Sequence, residues 1–218
     1  LYWKNNMPRT SQSEFSPNKS NHSHNLLELA TKDLLHFLKN KYGSERITHR
    51  KYLSKKEIND ELNKMDPSFG ISLENENSSI KPDGGLIFID DHLILVSEMK
   101  KQGVNKQRLR SGEKKQSMGN AIERAFKNAR EIENYCINKK YFPYVVFVHG
   151  CDFEPQSSMR DRISSANLNS PINNTYVKDI GHHKRTSLFI QEKPYTRMFL
   201  FNILKKIAGE SIEILKIT

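Results

Sequence analysis

From Asn25 onward, apolar residues recur at three- and four-residue steps: Leu26, Leu27, Ala30, Leu34, Leu35 and Leu38. This spacing predicts an amphipathic helix that Gly43 stops. Ser54-Lys55-Lys56-Glu57 has the form of a capping box and predicts a second helix. That helix should end by Asp66-Pro67, because the residue before a proline disfavours helical backbone. A turn-rich stretch runs from Asn75 to Gly85. Leu86-Ile87-Phe88-Ile89 and Leu93-Ile94-Leu95-Val96 then flank Asp90-Asp91-His92 and predict an antiparallel hairpin. Lys101 to Lys115 is basic, contains glycine and is expected to be a loop. The strongest helical pattern runs from Gly119 to Ile137, and Tyr144 to Val148 is expected to be a buried strand. Tyr176-Val177, Leu188-Phe189-Ile190 and Ile212 to Ile217 are further strand candidates, with a helix from Thr196 to Ala208 ending at Gly209. Strands and helices interleave, which predicts an α/β or α+β chain with a mixed sheet.

Residues 5 to 24 lack this periodicity; Asn, Ser, Thr, Pro, His and Lys dominate. Such a stretch buries too little apolar area to offset its ordering, so residues 1–24 are expected to form a flexible N-terminal arm, with Met7 a candidate initiator. The remaining residues, 25–218, suffice for one globular domain. Lys plus Arg number 35 against 25 Asp plus Glu, a formal charge of +10 that favours a polyanionic partner. The competing reading of that charge is a merely solvated surface. No apolar run approaches the roughly 18 residues of a membrane span, and Leu1-Tyr2-Trp3-Lys4 does not open an apolar leader. Two cysteines, Cys136 and Cys151, exclude a disulfide framework and a cysteine-built zinc site. A cytoplasmic protein with no membrane partner is the expectation.

The hairpin carries the candidate chemistry. Asp83 immediately precedes its first strand, while Glu98 and Lys100 lie at the end of its second. Alternate strand residues share a face, so Glu98 and Lys100 point the same way, and the hairpin brings Asp83 towards Glu98. Two carboxylates at adjacent strand ends suit Mg²⁺, which keeps waters and takes few protein ligands. A neighbouring lysine can orient a water or balance charge on a phosphate. Together these are the parts for metal-assisted phosphodiester hydrolysis. The spacing is equally that of a solvated salt bridge with Asp83 as a turn residue.

On the helix from Gly119, steps of about 100° put Ile122, Ala125, Phe126, Ala129, Ile132 and Cys136 on one side. Asn120, Glu123, Arg124 and Lys127 fall opposite. An amide, a carboxylate and a guanidinium are the groups that read base edges in a major groove; they are also common on any solvated helix face. Lys101, Lys106, Arg108, Arg110, Lys114 and Lys115 crowd the preceding loop, where contact with phosphate is the favoured reading. Lys81 and Gln102 flank the acidic residues and either touch phosphate or fill the turn. His149 and the His182-His183 pair are read as structural and surface residues.

Taken together, the blocks Glu57-Ile58-Asn59 through Asp66-Pro67, Ser78 to Gly85, Glu98-Met99-Lys100 with Gln102-Gly103, and Gly119-Asn120-Ala121-Ile122-Glu123-Arg124 with Lys127-Asn128 resemble the EcoRI family of type II restriction endonucleases. That family lies within the PD-(D/E)xK nuclease superfamily. Phe142-Pro143-Tyr144-Val145, Asp161-Arg162 with Ala166-Asn167, and Pro171-Ile172-Asn173 extend the resemblance in the same order. It covers roughly residues 55–191.

The resemblance implies a restriction-endonuclease-like α/β core, a mixed central sheet flanked by helices, in a single catalytic and DNA-recognition domain over residues 25–218. It implies a homodimer that cuts double-stranded DNA at a palindrome with central AATT, leaving 5′-phosphates on 5′ overhangs, alongside a cognate DNA methyltransferase acting on the same site. Asp83, Glu98 and the Met99 backbone carbonyl would hold Mg²⁺, with Asp83, Glu98 and Lys100 catalytic. Met118, Gly119, Asn120, Ala121, Glu123, Arg124, Arg160 and Arg162 would contact bases. Lys81, Gln102, Lys106, Arg108, Lys114, Lys115 and Lys127 would contact phosphate.

The chain departs from the family pattern in places. Ser117-Met118 stand where the family has two alanines, and one of its two arginines around the Asp-Arg pair falls on Met159, with Arg160 close by. The segment after Gly150 is also shorter. These departures fall where the outer base pair would be read, so GAATTC, bare AATT and another flanked AATT all remain open. Two other functions compete. A DNA-binding module without cleavage would have lost the acids, which are present; a junction-specific nuclease of the same superfamily would not need the base-reading helix face.

Overall fold

In the computed structural model, residues 17–64, 78–101, 110–112, 119–150, 163, 171–179 and 184–218 are described. The elements in order are α1 (Pro17–Tyr42), β1 (Ile47–Arg50), β2 (Leu53–Ser54), α2 (Lys55–Asn63), β3 (Ser79–Ile80), β4 (Gly85–Ile89) and β5 (His92–Lys101). They are followed by α3 (Gly119–Tyr135), β6 (Tyr144–His149), β7 (Ser187–Gln191) and α4 (Arg197–Leu215). Five strands form one mixed sheet in the order β1-β4-β5-β6-β7, and β2 and β3 form a separate short ribbon. The β1–β4 and β4–β5 pairs are antiparallel; β5–β6 and β6–β7 are parallel. Central β5 is thus where the sheet changes direction of pairing.

The sheet is covered on both faces, which explains why β4 and β6 read as unbroken apolar runs. Leu27, Leu34 and Leu38 of α1 and Leu200, Leu204 and Ile207 of α4 pack on one face with Leu95, Met99 and Phe147. Ile58 of α2 and Ala125, Ala129 and Ile132 of α3 pack on the other with Leu86, Val96, Tyr144 and Val146. Full burial of each of these leucine, isoleucine, valine, methionine and phenylalanine side chains contributes about 1.5–3 kcal/mol.

The hairpin turns through Asp90 and Asp91, both at positive φ (47° and 63°), the conformation a two-residue turn between twisted strands requires. Its register slips between Ile87 and Phe88, which face Leu95 and Leu93. Ile94 is the extra residue of this bulge, so Leu93 shares the α3 face with Val96, whereas Ile94, Leu95 and Met99 pack on the α1–α4 face. Glu98 and Lys100 keep step with Val96 and therefore face α3.

The predicted hairpin, the strand from Tyr144, the strand at Leu188–Ile190 and the capping box of α2 are all present, the last with both reciprocal hydrogen bonds between Ser54 and Glu57. Four expectations are corrected. α1 begins at Pro17, inside the polar stretch: proline suits a first helical turn, and an established helix extends cheaply through solvated residues. α4 does not stop at Gly209; a Cβ there would meet no heavy atom within 4 Å, and Leu204, Ile207, Ala208, Ser211 and Ile212 continue the buried stripe. Ile212 to Leu215 are accordingly the end of α4 rather than a strand; left-handed Lys216 caps the helix, and Ile217 follows outside it. Tyr176-Val177 is not a strand either: that segment makes only an isolated bridge, from Lys178 to Tyr141. The short strand β1 was not apparent in the sequence, because Thr48, His49 and Arg50 carry no alternating apolar signal.

Candidate active site at the end of the central strand

The loop Pro82-Asp83-Gly84-Gly85 is closed by Gly85 N–H donating to the Pro82 carbonyl at 3.0 Å and Gly84 N–H donating to the Ser97 carbonyl at 2.9 Å. A Cβ on Gly84 would stand 2.0 Å from Ser97 Oγ. Gly85 sits at φ +75°, and a Cβ there would be 2.6 Å from the Arg50 carbonyl oxygen. His49 Nε2 lies 3.0 Å from the Gly84 carbonyl, to which it donates. Burial pushes the His49 imidazole below its ordinary value of 6.5, although the Gly84 carbonyl works the other way. The two glycines are what let the loop lie flat on β5, and they fix where Asp83 points.

Asp83 Oδ2 accepts from the Met99 backbone N–H at 3.1 Å and from Lys100 Nζ at 3.0 Å. Lys100 Nζ also stands 2.6 Å from Glu98 Oε1. One ammonium thus bridges both carboxylates. Burial opposes the charge on Lys100, but the Glu98 and Asp83 carboxylates outweigh it and hold the ammonium above the ordinary lysine value. The Glu98 side chain is only 1% exposed, a costly position for a charge unless it is surrounded by donors. Asn128 of α3 supplies Nδ2 at 3.2 and 3.3 Å from its two oxygens, and the Tyr144 hydroxyl donates to Oε2.

Glu98 and Lys100 open into a cleft of about 500 Å³. Lys81, Lys55 at the first turn of α2, and Arg124, Lys127, Asn128 and Glu131 of α3 complete its lining. The β2–β3 ribbon brings Lys55 here, since Ser54 pairs with Ser79 and Lys55 N–H donates to the Ser78 carbonyl at 2.9 Å. Lys55 Nζ is 3.7 Å from Glu131 Oε1. The cleft therefore carries Glu98 with Lys100, and Asp83 bound to that lysine, with Lys55, Lys81, Arg124 and Lys127 around it, an arrangement suited to an anionic backbone.

Of the residues singled out in the sequence, Asp83, Glu98 and Lys100 come together, and Lys81, Arg124 and Lys127 line the same cleft. Glu123 and Arg124 are exposed on α3, while Ala125, Ala129, Ile132 and Cys136 are buried, as the helical spacing predicts. Gly119, Asn120 and Ala121 form the first turn of α3. Met118, Gln102, Lys106, Arg108, Lys114, Lys115, Arg160, Arg162, Cys151 and the His182-His183 pair lie outside the described residues. Lys55, Asn128, Glu131 and Tyr144 were not recognised as site residues from their spacing. Asn128 was within reach, standing one helical turn beyond Arg124; Lys55 and Tyr144 reach the site only through strand pairing.

The donor chemistry fits a hard divalent cation: two carboxylates, already gathered about a positive charge, beside the strand backbone at Met99. Among the described residues no three His, Cys, Asp or Glu side chains converge. Nor is any described helix long and apolar enough to cross a membrane.

A mixed α/β sheet with two acids and a lysine at the end of its central strand, beneath a cation-lined cleft, defines a nuclease core of the restriction-endonuclease type. The family model for restriction endonuclease EcoRI matches residues 9–160. The chain is 30% identical over 221 residues to the type II restriction enzyme EcoRI of Escherichia coli, covering 82% of this chain and 80% of that one. It is also 30% identical over 207 residues to the type II restriction enzyme RsrI of Cereibacter sphaeroides, covering 76% and 75%. The chain belongs to the EcoRI restriction endonuclease family, the type II site-specific deoxyribonucleases.

Proposed function

We propose that the protein cleaves double-stranded DNA in a Mg²⁺-dependent manner at a palindrome containing central AATT. The observation that carries this reading is the convergence of Asp83 and Glu98 on Lys100, in a cleft that Arg124 and Lys127 of α3 also line. Asp83, Glu98 and the Met99 carbonyl would hold the ion, which supplies charge stabilisation at the phosphate and makes a water more acidic. Lys100 orients that water or balances phosphate charge. Attack by water at phosphorus breaks the bond to O3′; the leaving oxygen takes a proton as a 3′-hydroxyl, and a 5′-phosphate remains.

Arg124, Glu123 and Asn120 are the base readers, with Met118, Gly119, Ala121, Arg160 and Arg162 around them. Lys81, Lys127, Gln102, Lys106, Arg108, Lys114 and Lys115 hold phosphate, and Lys55 joins them on its place in the cleft. A homodimer presents this surface to both half-sites, so one short block reads the whole palindrome. A methyltransferase that modifies the same site is its expected companion. The test is digestion of phage DNA with Mg²⁺ followed by sequencing of the ends. A common AATT core with 5′ overhangs is expected; fragments without a common core, or binding without fragments, would overturn the reading.

A further inference from the structure

Glu98 receives more hydrogen bonds than its lysine partner alone would supply, and they come from two directions. Oε1 faces Lys100 Nζ at 2.6 Å and Asn128 Nδ2 at 3.2 Å. Oε2 accepts from the Tyr144 hydroxyl and lies 3.3 Å from the same amide. Tyr144 is fully buried at the start of β6, in parallel register with Val96 and stacked on Phe142 with ring centroids 5.8 Å apart. Its hydroxyl oxygen is also 3.1 Å from the Ala125 carbonyl of α3.

We infer that Tyr144 and Asn128 are a positioning pair that fixes the Glu98 carboxylate against α3, so that the cation-binding acid and the base-reading helix are one rigid unit. The inference rests on the metal role proposed for Glu98. Neither residue needs to touch the scissile phosphate. Tyr144 is walled in by the core, and Asn128 spends its amide protons on Glu98. The physical reason for two ties is geometric. A glutamate has three side-chain torsions, and a carboxylate anchored only by the flexible Lys100 would keep part of that freedom. Two donors on rigid elements, one from the sheet and one from the helix, remove it. Partners that orient a metal ligand in this way are typically worth roughly 10- to 100-fold in metal affinity or activity.

The test compares the full-length protein with Tyr144→Phe and with Asn128→Ala. Three quantities are read: the Mg²⁺ concentration for half-maximal cleavage, Ca²⁺ binding by calorimetry, and cation-free DNA binding. Each variant is expected to need roughly tenfold more Mg²⁺ or more, to bind Ca²⁺ correspondingly more weakly, and to retain the KM for DNA and cation-free binding of the parent. The double variant is expected to lose less than the product of the single losses, because both ties hold one group. Unchanged cation dependence in both variants would overturn the inference. So would losses that follow DNA affinity or melting temperature alone, which is what a merely structural role produces. If Tyr144→Phe does not fold, Asn128→Ala decides by the same readouts. A parent protein that neither cuts DNA nor binds Ca²⁺ would instead remove the proposed function beneath it.

Discussion

The Asp83 carboxylate accepts the backbone N–H of Met99 at 3.1 Å, joining a loop to a strand position sixteen residues later. Through that bond the loop before β4 is registered against the end of β5, and Lys100, the next residue, closes the arrangement from its side chain. The acid that starts the hairpin and the acid that ends it are thereby held to one ammonium.

Asp83→Ala removes one carboxylate without touching α3. Cleavage of plasmid DNA with Mg²⁺ is expected to fall below detection, while a gel shift on specific DNA persists. A variant that still cuts would show that Asp83 is not part of the reacting site.

Gly85→Ala places a Cβ at φ +75° and 2.6 Å from the Arg50 carbonyl oxygen. Strain of this kind costs about 1–3 kcal/mol, and because the loop carries Asp83, activity should fall further than stability does. Urea unfolding beside cleavage rate measures both; a fully active, equally stable variant contradicts the close approach.

Arg124→Ala is expected to weaken binding to an AATT-containing duplex by about 1–3 kcal/mol while leaving binding to random duplex nearly unchanged. Equal losses on both duplexes would make Arg124 a phosphate contact. Lys127→Ala should show that equal loss, with a reduced dependence on salt.

Acid should weaken the fold through His49. Its folded-state value lies below the ordinary 6.5 because of burial, so the unfolded chain takes up the proton first. The stabilisation from the neutral ring is complete above about pH 6.5 and declines as pH falls below it. His49→Gln keeps a donor for the Gly84 carbonyl but cannot titrate. Between pH 7 and 5.5 it is expected to lose less stability than the parent, measured by urea midpoints at each pH; parallel losses would exclude this role.

The capping box gives a test confined to the fold. Ser54→Ala removes the side chain that accepts Glu57 N–H and is expected to destabilise by about 1 kcal/mol. Because Ser54 pairs with Ser79 and precedes Lys55, a larger loss would mean that the β2–β3 ribbon loosens as well.

Local pattern determined a good deal here. Alternating and continuous apolar runs marked β4, β5, β6 and β7, because a strand covered on one or both faces must be apolar there. The 3.6-residue repeat of α3 separated Ala125, Ala129 and Ile132 from Glu123 and Arg124, because a helix fixes the faces of its residues without help from the rest of the chain. The pairing of Asp83 with Glu98 and Lys100 was likewise legible, since a tight hairpin brings its two ends together. Where Ile212 to Leu215 belonged was not legible: β-branched residues favour strands locally, and only packing against α1 and the sheet keeps this segment in α4. The same is true of Lys55, brought to the cleft by a two-residue ribbon, and of Tyr144, whose hydroxyl finds Glu98 because β6 lies parallel to β5. Contacts between residues far apart in the chain are set by register and by which face of the sheet each helix covers, and those are decided by burying the core as a whole.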